Sequence, residues 1–168
     1  GYINYIFFED VISLLISRGL TDEDIHKIGI NTIETNKDTP FASFMSAHFW
    51  PKEMYEYYLT DLIKVVEKNN FYRLKSLTDS ECVLESFDNP ELLEFFKVDH
   101  VGGVQRCKYR VGALSAATLY MGLPCGHVKE TSCVHRGDAS CVFEINYEFP
   151  NSYIKRDIKN YSSMKELQ

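Results

Sequence analysis

The stretch GHVKETSCVHRGDASCVFEINYEF, residues 126–149, alternates apolar and polar side chains on either side of Arg136-Gly137-Asp138. Period-two alternation interrupted by a glycine-containing turn is the signature of a β-hairpin, because successive side chains of a strand point to opposite faces. Upstream, FYRLKSLTDSECVLESF, residues 71–87, repeats the pattern: two short runs rich in Phe, Tyr, Leu and Val about a Thr78-Asp79-Ser80 turn. Two hairpins in one chain supply four antiparallel strands.

The rest of the chain has helical periodicity. In FEDVISLLISRGL, residues 8–20, Phe8, Val11, Leu14 and Leu15 recur at three- and four-residue steps and Gly19 closes the run, which predicts a core-facing helix. Thr21, three residues before Asp24, has the spacing of a capping box and predicts a second helix from there. Pro40 and Pro51 suit the first turns of two more, a short one through residue 49 and a longer one to Asn69-Asn70, with Tyr55, Tyr58, Leu62 and Val65 on one face. Asn89-Pro90 opens another, and a last helix is predicted over 104–121, ending at Gly122. Its small residues Gly112, Ala113, Ser115, Ala116 and Ala117 would let a second backbone come close. Helices followed by hairpins predict the α+β class, a four-stranded antiparallel sheet of two hairpins packed against helices.

Length and charge bound the function. A chain of 168 residues with 45% apolar content fits one domain, expected over residues 1–150, with 151–168 as an amphipathic helical tail carrying Ile154, Ile158 and Tyr161 on one seam. The chain begins with Gly rather than Met, so it is expected to be a domain of something longer. A net charge of -6 with no Lys/Arg run argues against a nucleic-acid surface, which needs clustered cations. Apolar runs stay below the roughly 18–20 residues that cross a bilayer, so no membrane span is expected. Five cysteines, an odd number in a chain with ample core, fit a reducing cytoplasm better than a disulfide scaffold.

The hairpin carries chemistry as well as fold. Cys133 and Cys141 flank its turn and Glu130 precedes the first by three residues, so one local segment offers two thiols and a carboxylate to a metal. A fourth ligand would come from Cys107, Cys125, His127 or His135; buried unligated thiols and a disulfide are the alternatives.

Residues 107–145, CKYRVGALSAATLYMGLPCGHVKETSCVHRGDASCVFEI, resemble the C-terminal half of the 4-vinyl reductase sensory domain found in phenol- and toluene-responsive transcription activators. The resemblance rests on Cys107 followed by Gly112, the small-residue helix closing at Gly122-Leu123-Pro124, and the E-x2-C-x7-C run ending in an alternating strand. It implies a structural zinc held by Cys107, Glu130, Cys133 and Cys141, and a fold similar to the subunits of the TRAPP vesicle-tethering complex, which often form dimers through their helices. A homodimer is therefore expected.

Around it, FASFMSAHFWPKEMYEYY, residues 41–58, is dense in aromatic side chains, which suits either a plain core or a pocket for a small apolar, aromatic ligand. Phe44, His48, Trp50, Tyr58 and Phe87 are the candidate ligand-binding residues, His48 and Trp50 on chemistry alone. His100 beside Gly102-Gly103 is a candidate haem or tetrapyrrole ligand, or an ordinary hydrogen-bonded histidine. No G-x-G-x-x-G nucleotide loop is present and a closed four-ligand zinc has no open position, so no catalytic residues are expected. The leading expectation is a cytoplasmic ligand-sensing regulatory domain; a haem or tetrapyrrole binder and a ligand-free tethering module are the rivals.

Overall fold

The computed structural model describes residues 5–148, so the expected tail with Ile154, Ile158 and Tyr161 lies outside the described residues. Strands β1 (Asn70–Leu77), β2 (Glu81–Asp88), β3 (His127–Ser132) and β4 (Cys141–Asn146) form one antiparallel sheet in the order β1-β2-β4-β3. Both hairpins are there, joined through β2 and β4, where Leu84 stands opposite Phe143 and Cys82 opposite Ile145. Alternation decides the faces: Cys82 and Leu84 from β2 and Cys141, Phe143 and Ile145 from β4 are buried on the inner side.

Helices cover that inner face in two halves. Over the β1-β2 half lies the run α5 (Pro51–Tyr57), a π turn (Tyr58–Leu62) and α6 (Ile63–Val66). Over the β3-β4 half lies α8 (Val104–Ser115), continued as a 3-10 turn (Ala116–Met121) that closes at Gly122 in the left-handed region. The phenol of Tyr55 donates to the carbonyl of Leu114 at 2.9 Å and ties the two halves together. Short helices α3 (Thr32–Asn36) and α4 (Pro40–Ser46) bridge above them, α7 (Pro90–Phe96) follows β2, and α1 (Tyr5–Ile16) and α2 (Asp22–Ile30) lie on the outside of α8.

The Thr21 and Asp24 side chains make the expected capping box at the start of α2. The small-residue stripe works as expected too. A side chain at Gly112 would drive into the carbonyl oxygen of His26, and one at Gly29 into that of Tyr109, so α2 and α8 cross with their backbones in contact.

Two expectations are corrected. Among the described side chains of α1 the buried one is Ile12, while Val11, Leu14 and Leu15 are 38%, 53% and 37% exposed. Among the described residues that helix leans chiefly on α8, which leaves its apolar stripe partly uncovered. Val65 does not share the face of Tyr55 and Leu62: it is 62% exposed. The π turn inserts an extra residue, which rotates every following position by about 100° and replaces Val65 by Ile63 on the core side.

Candidate metal centre and helix–sheet cavity

Cys107, Glu130, Cys133 and Cys141 converge between α8 and the β3-β4 hairpin, with one ligand atom from each lying within 4.8 Å of all the others. Each arrives by a separate local rule. Cys107 sits on the sheet-facing side of α8. Glu130 takes an inward position of β3, opposite Phe143, and Cys141 opens β4 on the inward phase. Cys133 follows β3 and caps a 3-10 turn, Val134–Arg136, that closes on Gly137 at φ 94°. The carboxylate of Asp138 accepts from the backbone N–H of Cys133 at 2.7 Å and fixes that turn.

The spacing fits a tetrahedral ion. Cys107 Sγ lies 3.7 Å from Cys133 Sγ and 3.6 Å from Cys141 Sγ. Metal–sulfur bonds of about 2.3 Å at tetrahedral angles place sulfurs about 3.8 Å apart, whereas a disulfide needs about 2.05 Å. All five cysteines are free thiols. Of the candidate fourth ligands, Cys107 completes the group; Cys125 and His127 are exposed and His135 lies outside it.

The electrostatics favour a bound cation. Three cysteines buried to 0% exposure face a carboxylate whose Oε1 is buried with no hydrogen-bond partner. An orphaned buried carboxylate oxygen beside three thiols is costly unless something positive meets it. The Cys107 and Cys141 thiols are in contact and shift each other in opposite directions. The contact with Cys141 and burial push the Cys107 thiol up, while the Cys107 thiol, the Val134 backbone and the Arg106 and Arg110 guanidiniums hold Cys141 down.

Arg106 and Arg110 place two cations on α8 on either side of Cys107. Arg106, fully buried, donates to Asp88 Oδ1 at 3.0 Å, to Asn70 and to the carbonyl of Val101. Arg110 donates to Ser86 and Asn70, and its guanidinium stands 5.2 Å from the centre of the Tyr72 ring. Burial pushes the nearby His135 down to about 4, Arg106 adding to the effect.

One turn beyond Cys107, α8 walls a cavity of about 340 Å³ between the two helical halves, within the size range of small-molecule sites. Phe8, Phe41, Tyr58, Tyr72, Tyr109 and Tyr120 give it an aromatic lining, and Arg110 and Glu67 stand at its polar side. Tyr58 belongs to the π turn, a helix defect that recurs at functional sites.

Of the five expected ligand contacts, Tyr58 lines this cavity. Phe44 and Trp50 are 50% and 39% exposed, and the rings of Phe44 and His48 instead meet Tyr57 at tilted angles of 52° and 40°. Phe87 lies under the Arg73 guanidinium, 5.4 Å from ring centre to Cζ. Helix α4 turns Phe41 and Met45 inward and Phe44 outward. Sequence reading passed over Tyr109, Arg110 and Tyr120; the usable signal was helical spacing from Cys107, since Arg110, Leu114 and Ala117 follow it at steps of three and four. His100 bonds Asp88 Oδ2 at 3.2 Å and does not line the cavity.

No protein-family model matches the chain, and no curated protein matches it. Solved structures do. A subunit 3 of the trafficking protein particle complex from Naegleria fowleri, covalently bound to palmitic acid, aligns with TM-score 0.60 at 15% identity, over 86% of this chain and 93% of that one. The H-NOX protein from K. algicida, Fe(II) unliganded, aligns with TM-score 0.51 at 8% identity over 77% of this chain, and a point mutant of it with 0.52 over 79%. The chain spans 65% and 64% of the mutant and parent H-NOX chains. At such identities the likeness shows the fold: an α+β arrangement shared by TRAPP subunits and H-NOX proteins.

Proposed function

We propose that this chain is a sensory or regulatory domain that binds a small apolar, aromatic ligand in the helix–sheet cavity and is stapled by a structural zinc ion at Cys107, Glu130, Cys133 and Cys141. The observation that carries it is the double role of α8. One helix gives Cys107 to the metal cluster and Arg110, Ala113 and Leu114 to the cavity wall, so the staple holds the wall in place. Zinc supports the fold here rather than chemistry, because four protein ligands leave no position for a substrate. Three thiolates suit a borderline-soft ion and disfavour magnesium or calcium.

The cavity chemistry supports a compact ligand. Six aromatic rings supply apolar contact, and one cation beside one carboxylate leaves the lining balanced. A covalent acyl chain, as in the Naegleria structure, finds no cysteine among the described lining residues, and haem finds no histidine there. A fatty acid would bind without a bond to the protein. The resemblance of residues 107–145 to transcription-activator sensory modules supports a homodimer that relays occupancy to an effector, and light scattering at micromolar concentration should then return twice the chain mass.

A thermal-shift screen of phenols, indoles, fatty acids and porphyrins tests the reading. A ligand present at a hundredfold excess over its Kd stabilises the fold by about 2.7 kcal/mol. Stabilisation by phenols or indoles supports the reading, and a porphyrin response with a Soret band would replace it by haem binding. Silence across the panel would leave the tethering module in its place.

A further inference from the structure

Glu130 uses its two carboxylate oxygens differently. Oε2 forms an ion pair with Arg136 Nη2 at 2.9 Å, while Oε1 is buried without a hydrogen-bond partner beside the three thiols. Arg136 is the last residue of the 3-10 turn between Cys133 and Cys141, and that turn is locked by the left-handed Gly137 and by the Asp138 carboxylate on the Cys133 N–H. The segment that presents two thiols to the cluster therefore also presents the guanidinium that orients its carboxylate. A carboxylate with both oxygens free can chelate through two oxygens or swing away from the ion; one held at Oε2 offers only Oε1. Partners of metal ligands act in this way, fixing ligand orientation and commonly changing metal affinity by about 10–100-fold when removed.

We infer that Arg136 is a positioning residue of the metal centre, which holds Glu130 as a one-oxygen ligand and so keeps the site four-coordinate and tetrahedral. The inference rests on the metal reading above and adds to it a residue that is no ligand itself. Arg136 also offsets charge. Three thiolates and a carboxylate around a divalent ion leave two negative charges, and Arg136 supplies counter-charge on the hairpin side. Its own side chain is 46% exposed, so replacing it leaves the core intact.

Cobalt(II) is the probe, because its visible d–d bands are intense in tetrahedral sites and weak at higher coordination number. The 168-residue chain, Arg136→Gln, Arg136→Lys and the remote Lys52→Gln would be stripped of metal and titrated with cobalt in the presence of a competing chelator, with melting curves in excess chelator alongside. The expected result is a loss of affinity of about 10–100-fold in Arg136→Gln, with weakened or shifted bands. Arg136→Lys should recover part of both, Lys52→Gln should match the parent, and the metal-free melting temperatures should coincide. Parent-like affinity and spectrum in Arg136→Gln would overturn the inference while leaving the metal site standing. An equal drop in melting temperature with and without metal would overturn it too, by making the Arg136–Glu130 pair purely structural. Failure of the parent to bind cobalt at all would remove both the inference and the metal reading.

Discussion

Cys107 Sγ and Cys141 Sγ lie 3.6 Å apart across the helix–sheet interface, although 34 residues separate them in the chain. A single ion at that point would join α8 to the β3-β4 hairpin. Structural metal binding is folding energy, because the site exists only in the folded state. Protein purified without chelator is expected to carry close to one zinc per chain by elemental analysis. Chelation, or Cys133→Ser, should lower the melting temperature by about 6–12 °C for every 3 kcal/mol lost. Cys125→Ser, at an exposed position outside the cluster, should leave the zinc content and melting temperature at parental values.

Gly112→Ala tests the α2–α8 crossing. A methyl group there collides with the His26 carbonyl, a backbone atom that cannot rotate aside. The helix-propensity gain of up to about 1 kcal/mol is outweighed by forced separation of the helices, and a net loss of about 1–3 kcal/mol is expected from urea denaturation. A neutral or stabilising result would mean that the helices do not approach this closely.

Asp88→Asn should be among the costlier substitutions. Burial pushes the Asp88 carboxyl up, but the Arg106 guanidinium, with His100 and the Val101 backbone, outweighs it and holds the group below its ordinary range. Removing the carboxylate strands the buried Arg106 charge, a loss of about 3–5 kcal/mol. The pH dependence follows by linkage. A depressed folded value means that the unfolded chain takes up the proton first, so the contribution is complete above the ordinary carboxyl range and disappears as pH falls through and below about 4. Urea midpoints from pH 6 to pH 3 should therefore fall more steeply for the parent than for Asp88→Asn.

Ala117→Leu fills the cavity from the α8 side, where Ala117 is 2% exposed. Ligands that raise the melting temperature of the parent should lose at least about tenfold in affinity, each 1.4 kcal/mol being a factor of ten. Zinc content should be unchanged, because the substitution lies away from the cluster. Retained ligand binding would place the ligand elsewhere.

The two hairpins were legible in the sequence because strand period is local: residues 126–149 show their alternation, their turn and their inward cysteines without reference to anything else. The Thr21–Asp24 cap, the stop at Gly122 and the small-residue stripe of α8 are local as well. So were three of the four cluster residues, since Glu130, Cys133 and Cys141 belong to one hairpin. Cys107 as the fourth came through the resemblance, because residue spacing left it level with Cys125, His127 and His135. Only packing separates those four: Cys107 faces inward on α8, and Cys125 and His127 face solvent.

The cavity was the least legible part. Of the aromatic-rich residues 41–58 only Phe41, Met45 and Tyr58 line the cavity, because composition does not say which side of a short helix faces inward. Phe41 lines the cavity and Phe44, three residues later, is half exposed, because α4 presents only one narrow face to its neighbours. The π turn at Tyr58–Leu62 leaves no mark in the sequence and yet rotates Val65 out and Ile63 in. The sequence by itself determined what depends on neighbours within a few residues: strand phase, caps, turns and the hairpin half of the metal cluster. The tertiary structure alone decided what depends on elements meeting, which are the inward face of each helix, the approach of Cys107 to Cys141 and the aromatic walls of the cavity, because those are set by packing between segments distant in the chain.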